Sequence, residues 1–338
     1  MSKQQGTKTI SVTNNQAKIA LITGANSGIG LETSARLAEE GFGKIILAVR
    51  TVEKGEAAKA KLIERTGKDV FDILTIDVSE FEIVHAAADE LVKRQDKIDL
   101  LILNAGMSPS NTDSYNSSGV EITFATHIIG HHILTMRLLS DQLLAHDARI
   151  IIASSEGSRG DLPGMAPPDF EKLAEEHFDN DLVAALQALT RNEEPHESKV
   201  MNIYVTAKTF SNWWAAVLSR KLPKGMTVNA VSPGSVPATN YARNQGFMMR
   251  RVMTPMMKVM GRFMGMAWKL EDGANRYYEV SQFDDTITGH FFASKKRLTG
   301  EMVIQENDHF VNQEFQEAGW NAIVAVSGGI DYPIAIPA

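Results

Sequence analysis

The chain has 338 residues, 43% of them hydrophobic, a net charge of −7 and no cysteine. That is enough to build a sizeable core in one large domain or two modest ones. The acidic balance excludes the basic face of a nucleic-acid binder. The lack of cysteine excludes disulfides and thiolate chemistry and is compatible with the reducing cytosol, where we expect the protein.

Residues 1–16 (MSKQQGTKTISVTNNQ) are polar, lack the apolar core of a signal peptide, and read as a disordered extension. Lys18–Thr23 is a short apolar run ending in glycines, which predicts a buried strand. Gly28–Gly41 follows with helical periodicity. Lys44–Val49, Val70–Ile76, Ile98–Leu103 and Arg149–Ala153 predict further strands. Between them, helices are expected over Glu53–Arg65, Ser79–Arg94 and, as one long element, Val120–Ala145. This alternation implies right-handed crossovers and a parallel sheet covered on both faces, and the near-continuous apolar strands fit that burial.

The rhythm breaks over residues 157–200, a polar, acidic and weakly helical insertion. It resumes with a helix over Asn202–Leu222 and a strand over Met226–Val231. A helix over Leu270–Phe283, a last strand over Thr288–Ala293 and a final helix over Asp308–Val326 complete a single domain over 17–338. The expected fold is a doubly wound sheet of about seven strands. No apolar run reaches the length of a transmembrane helix.

The first strand runs into TGANSGIG (23–30). Glycines at 24, 28 and 30 let the backbone approach a pyrophosphate, and the next helix offers its N-terminal N–H groups. Gly24, Asn26, Ser27, Gly28, Ile29 and Gly30 are therefore cofactor-binding candidates. The second strand ends at Arg50, where an acid would bind the ribose of NAD and an arginine suits the 2′-phosphate of NADP. The cofactor expected is NADP(H). Asp77 and Val78, after the third strand, are placed for the adenine. Asn104, Ala105 and Gly106 end the fourth strand, where small residues let a cofactor lie against the backbone.

Tyr204 and Lys208 lie four apart in a helix and share a face. A free phenol is a poor proton donor at neutral pH, and a nearby ammonium lowers its pKa toward the working range. Ser155 follows the fifth strand at the carboxyl edge of the sheet. Its hydroxyl could bond a substrate oxygen, with Ser154 as competitor.

Together, TGANSGIG, Asn104–Gly106, the serine pair before Glu156, YVTAK (204–208) and PGSVPAT (233–239) resemble the short-chain dehydrogenase/reductase family. The likeness runs from about Lys18 to Phe292. ILAVRTVEKGEAA (46–58), GHHILT (130–135) and TGHFFASKK (288–296) are similar to the retinol-dehydrogenase and protochlorophyllide-reductase-like branch, and the long serine–tyrosine gap is similar to the carbonyl reductases. The resemblance implies an NADP(H)-dependent oxidoreductase that interconverts a lipophilic or aromatic alcohol and its carbonyl. Reduction of a conjugated C=C bond is the alternative within the branch, and a non-catalytic NADP(H) sensor the alternative of another class. It implies Tyr204 as acid/base, Ser155 as substrate clamp, and Lys208 as the pKa-lowering cation that also holds the nicotinamide ribose. Pro233, Gly234, Val236 and Thr239 would border the nicotinamide.

One position departs from the family. FATHIIGHH (124–132) places His127 where an asparagine usually completes a proton relay through water to the lysine. His127 either holds the relay, and brings a titration near neutrality with it, or is a packed helix residue, or leaves the relay weak and the enzyme slow. His131 and His132 nearby lack a carboxylate partner, and no metal is expected.

Residues 247–268 hold eight of the fifteen methionines and several basic side chains. Within a segment over 235–269 they form either a lid over a variable apolar ligand, an ordinary packed helix, or a contact with a membrane surface. The insertion either walls the pocket or blocks the family's helix-pairing contact. Monomer and homodimer both remain open.

Overall fold

The computed structural model describes residues 15–107, 114–193, 200–236 and 268–331. Eight strands form one sheet in the order β3-β2-β1-β4-β5-β6-β7-β8. They are β1 (Ile19–Thr23), β2 (Lys44–Val49), β3 (Phe71–Thr75), β4 (Ile98–Leu103), β5 (Leu144–Ala153), β6 (Thr227–Val231), β7 (Phe291–Ser294) and β8 (Met302–Ile304). The first seven are parallel. β8 is antiparallel to β7, Phe292 facing Ile304, and was not foreseen because three residues are too few for a period-2 pattern.

Strands β1, β2, β4 and β6 and the Ile150–Ala153 end of β5 are buried almost throughout, which explains their apolar runs. The core lies in two clusters, one on each face of the sheet. Helices α1 (Gly28–Glu39), α2 (Val52–Thr66) and α9 (Leu270–Ser281) bury Leu37, Leu62 and Tyr277 on one face. Helices α3 (Phe81–Arg94), α5 (Gly130–Ser140), α8 (Val200–Lys221) and α11 (Gln313–Val326) bury Leu91, Leu134, Trp213, Trp214 and Trp320 on the other.

The single helix expected over Val120–Ala145 is corrected. Glu121 caps a short α4 (Ile122–Phe124), a π-helical turn spans Ala125–Ile129, and α5 ends at Ser140. Leu144 already belongs to β5, paired with Ile98. A π turn inserts one residue into the helical register, and apolar periodicity does not reveal it. Directly after it, at Gly130, the backbone passes so close to the loop after β3 that a Cβ would lie 1.7 Å from the Val78 carbonyl oxygen. We expect Gly130→Ala to cost about 3 kcal/mol or more by this overpacking, read as a lower denaturation midpoint.

The insertion forms α6 (Phe170–His177) and α7 (Leu182–Arg191), capped by Asp169 and Asp181. Phe170 and Phe315 of α11 pack on Trp213, with ring centroids 5.1 and 5.8 Å away. The outer face of α8 is thus covered within the chain. The final helix is split at Asn312, which caps α11 after a short α10 (Asp308–Val311). Asn15–Ala17 form a 3-10 turn with Asn15 buried. The rest of the expected extension, residues 1–14, lies outside the described residues, as does the methionine-rich stretch up to 267.

Candidate active site

Parallel strands send all their carboxyl ends to one edge, so the loops after β1 to β6 converge there. At β1, Gly24 and Gly28 take the left-handed conformation, with φ of 68° and 60°. A Cβ on Gly30 would stand 2.6 Å from both the Asn104 amide and the Gly24 carbonyl oxygen. This leaves a backbone cradle at the α1 N-terminus, where Ser27 is the N-cap and its side chain makes no capping bond. Asn26, Ser27, Gly28 and Ile29 are half-buried along it.

Arg50 is exposed just beyond β2, between that strand and the Thr51 cap of α2. One oxygen of Asp77 accepts bonds from the Ser79 N–H (3.1 Å) and hydroxyl (2.7 Å), so this carboxylate also shapes the turn before α3. Val78 is buried against Gly130. Asn104 and Ala105 sit beside the glycine loop, and Gly106 is exposed against the His127 ring. The Thr23 hydroxyl accepts from the backbone N–H groups of Asn104 and Ala105, both at 2.9 Å.

Thr23 carries an assignment that sequence reading missed, although it lies in the glycine motif. With two N–H donors already on its oxygen, the hydroxyl gives its own proton to His131 Nε2, 2.9 Å away. His131 therefore carries its proton on Nδ1 and donates it to the His127 carbonyl at 3.2 Å. Burial holds His131 down at about 3. His132 accepts from the Trp214 indole at 3.1 Å and reaches the Ile330 carbonyl at 2.7 Å. Among the described residues, no cluster of His, Asp or Glu is arranged to hold a metal ion.

Tyr204 is half-buried and Lys208 is buried on the same face of α8. Lys208 Nζ donates to the Ala153 carbonyl at 2.5 Å, and burial draws its pKa down to about 7. His127, on the π turn, stands edge-on to Tyr204 with ring centroids 5.5 Å apart. Its Nε2 meets the Met107 backbone N–H at 3.0 Å and carbonyl at 2.8 Å, while its Nδ1 is buried with no hydrogen-bond partner among the described residues. Burial first, then the nearby Lys208, hold His127 well below the usual histidine range. The expected titration near neutrality is thus corrected: the imidazole stays neutral there.

The two serines are separated by their partners. Ser154 is buried and donates to Asn212 Oδ1 at 2.6 Å. Ser155 is half-buried and caps the single 3-10 turn Glu156–Arg159, its oxygen accepting from the Gly157 N–H at 3.2 Å. Beyond β6, Pro233 and Gly234 are half-buried and Val236 is buried. Thr239 lies outside the described residues. Asn212, Glu156 and Arg276 also belong to this neighbourhood, and no short-range spacing announces them.

The sequence model described as short chain dehydrogenase matches residues 18–182. The chain is 32% identical over 219 residues to the short chain dehydrogenase sol3 of Alternaria solani, covering 64% of this chain and 71% of that protein. It is 26% identical to the chloroplastic protochlorophyllide reductase of Marchantia paleacea (70% of this chain, 53% of that one). It is 31% identical to human retinol dehydrogenase 13 (68% and 62%), so the aligned part spans well under the whole of these two relatives. A short chain dehydrogenase of Burkholderia cenocepacia solved with NADP shares the fold at a TM-score of 0.59 and 21% identity, covering 82% of this chain and 96% of that one. The chain is an oxidoreductase of the short-chain dehydrogenase/reductase family, similar to its retinol-dehydrogenase and protochlorophyllide-reductase members.

Proposed function

We infer that the protein is an NADP(H)-dependent reductase or dehydrogenase that interconverts a lipophilic or aromatic alcohol and its ketone or aldehyde. The observation that carries this reading is the Tyr204–Lys208 pair, with the lysine buried below a half-buried phenol and Ser155 left over after Ser154 has turned to Asn212. The cradle around Gly24 and Gly30 fits a pyrophosphate, and Arg50 fits a 2′-phosphate. When bound, the nicotinamide supplies the hydride.

The chain's own residues handle the oxygen. Ser155 Oγ–H donates to the carbonyl oxygen and shares its growing charge. Tyr204 gives that oxygen its phenolic proton, and Lys208 stabilises the phenolate left behind. Lys208, with a pKa near 7, gives up a proton readily at neutral pH. His127, neutral and with Nδ1 open, is suited to pass one on. The half-buried Met107, which holds the His127 ring, and Met165, whose sulfur borders Gly157 next to Ser155, supply apolar, adaptable walls.

Assays that follow NADPH oxidation across ketones, aldehydes and enones test the reading. Turnover should favour NADPH over NADH. Arg50→Ala should raise the KM for NADPH by about 10- to 100-fold, the worth of a charge-assisted phosphate contact, with the KM for NADH little changed. The similarity to protochlorophyllide reductase favours a second reading, reduction of a conjugated C=C bond. Saturated ketones as the products from enones would establish it. Tight NADPH binding with no turnover across the panel would replace both readings by a sensor. His127→Asn keeps a donor and an acceptor and should retain activity within about threefold, whereas His127→Phe should lose about 10²-fold.

A further inference from the structure

The turn that begins at Ser155 is anchored by charge. All four of its residues, Glu156–Arg159, are buried. Glu156 Oε2 accepts from the Ser232 hydroxyl, at the end of β6. Its Oε1 accepts from Arg276 Nη1 at 2.9 Å and from the Ser294 hydroxyl at 2.9 Å, at the end of β7. Arg276, on α9, donates its other Nη protons to the Ser232 carbonyl (2.8 Å), the Ser294 hydroxyl (2.9 Å) and the Gly300 carbonyl (2.8 Å), while its buried Nε has no partner among the described residues. One carboxylate and one guanidinium thus tie together the ends of β5, β6 and β7.

The outer face of the same guanidinium lies 4.2 Å from the centroid of the Trp268 ring. Trp268 is seated on the loop after β6. Its backbone N–H donates to the Ser235 carbonyl at 2.7 Å, and a Cβ on Gly234 would stand 3.0 Å from its ring. Arg276 therefore touches, through one partner each, the turn that presents Ser155 and the loop that includes Pro233 and Gly234. A buried ion pair is a poor source of net stability, because desolvating both charges offsets their attraction. What such a pair supplies is geometry: hydride transfer needs the substrate oxygen and the donor ring held in a fixed relation, and small misplacements are costly.

We propose that Glu156 and Arg276 are positioning residues for the reaction, fixing Ser155 against the Pro233–Ser235 loop so that the substrate carbonyl meets the nicotinamide in register. The proposal rests on the reading of Ser155 as the substrate clamp. A double-mutant cycle between Arg276→Lys and Ser155→Ala tests it, with NADPH and 4-nitrobenzaldehyde as the probes. Lysine keeps the charge opposite Glu156 but lacks the planar face and the multiple donors of arginine.

Arg276→Lys should lower kcat by about 10- to 100-fold, with the KM for NADPH within about threefold of the parent. In the Ser155→Ala background the same change should cost no more than about threefold, as expected of groups that act as a unit. An equal loss in both backgrounds, or no loss in either, overturns the proposal. Full activity of Ser155→Ala, or a wild-type protein inert toward the aldehyde, removes instead the reading beneath it, and the proposal with it. If Arg276→Lys fails to fold, Ser294→Ala removes one donor to Glu156 and one acceptor of Arg276. Carried through the same cycle, it should show a smaller loss of about 3- to 10-fold with the same non-additivity.

Discussion

Tyr204→Phe should lower kcat for carbonyl reduction by about 10²- to 10⁴-fold, the usual worth of a general acid, and leave NADPH affinity within about threefold. The expectation follows from what the substitution keeps. Phenylalanine preserves the ring that meets His127 edge-on at 5.5 Å, and it leaves Lys208 bonded to the Ala153 carbonyl. What is lost is the phenolic hydroxyl, and with it the proton donor. Fluorescence titration with NADPH and single-turnover measurement separate the two quantities. A mutant that binds NADPH and reduces carbonyls as fast as the parent would remove Tyr204 from the chemistry. A mutant that no longer binds NADPH would point to collapse of the α8 surface instead.

The parts of the site that could be read from the sequence are those set by local rules. Glycines 24, 28 and 30 announce a backbone that must turn and be approached closely, and the structure shows both demands at Gly24 and Gly30. Tyr204 and Lys208 announce a shared helix face by their spacing. The strands could be read because burial on both sides makes them apolar throughout. What stayed hidden depends on contacts between distant segments. The π turn at Ala125–Ile129 leads into Gly130, whose backbone lies against the Val78 carbonyl, far from it in sequence. The bond that occupies Ser154 goes to Asn212, 58 residues away, and it supports the proposal of Ser155 as the substrate clamp. Glu156 and Arg276, 120 residues apart, meet only because β5 and α9 flank the same end of the sheet. The neutrality of His127 is likewise a property of its burial and of Lys208, and histidine's ordinary pKa points the other way.

Those buried histidines lead to a second large effect, a loss of stability in mild acid. His127, His131 and His132 are held well below 6.5 in the folded chain by burial, His131 at about 3 and His132 at about 4. In the unfolded chain they titrate near 6.5. Their folded pKa values are depressed, so the unfolded state binds more protons below that pH, and stability is present above it and lost as pH falls. From pH 7.5 to 5.5 the three together cost about 4 kcal/mol, and Lys208, drawn down to about 7, adds under about 1 kcal/mol in the same direction.

Glu121 opposes them. It is fully buried at the cap of α4 and burial raises it to about 7, so over this window the folded state takes up its proton and regains about 2 kcal/mol. These groups alone should leave the protein about 3 kcal/mol less stable at pH 5.5 than at pH 7.5, measured by denaturant unfolding at each pH, and His290 and His309, also drawn down by burial, act in the same direction. Glu121→Gln removes the opposing group and should steepen the loss by about 2 kcal/mol, whereas His132→Gln should shallow it by about 1 kcal/mol. Equal stability of the parent at the two pH values would contradict the burial of these histidines as neutral groups. A Glu121→Gln variant with the parent's pH profile would show that this carboxyl is ionised in its helix cap throughout.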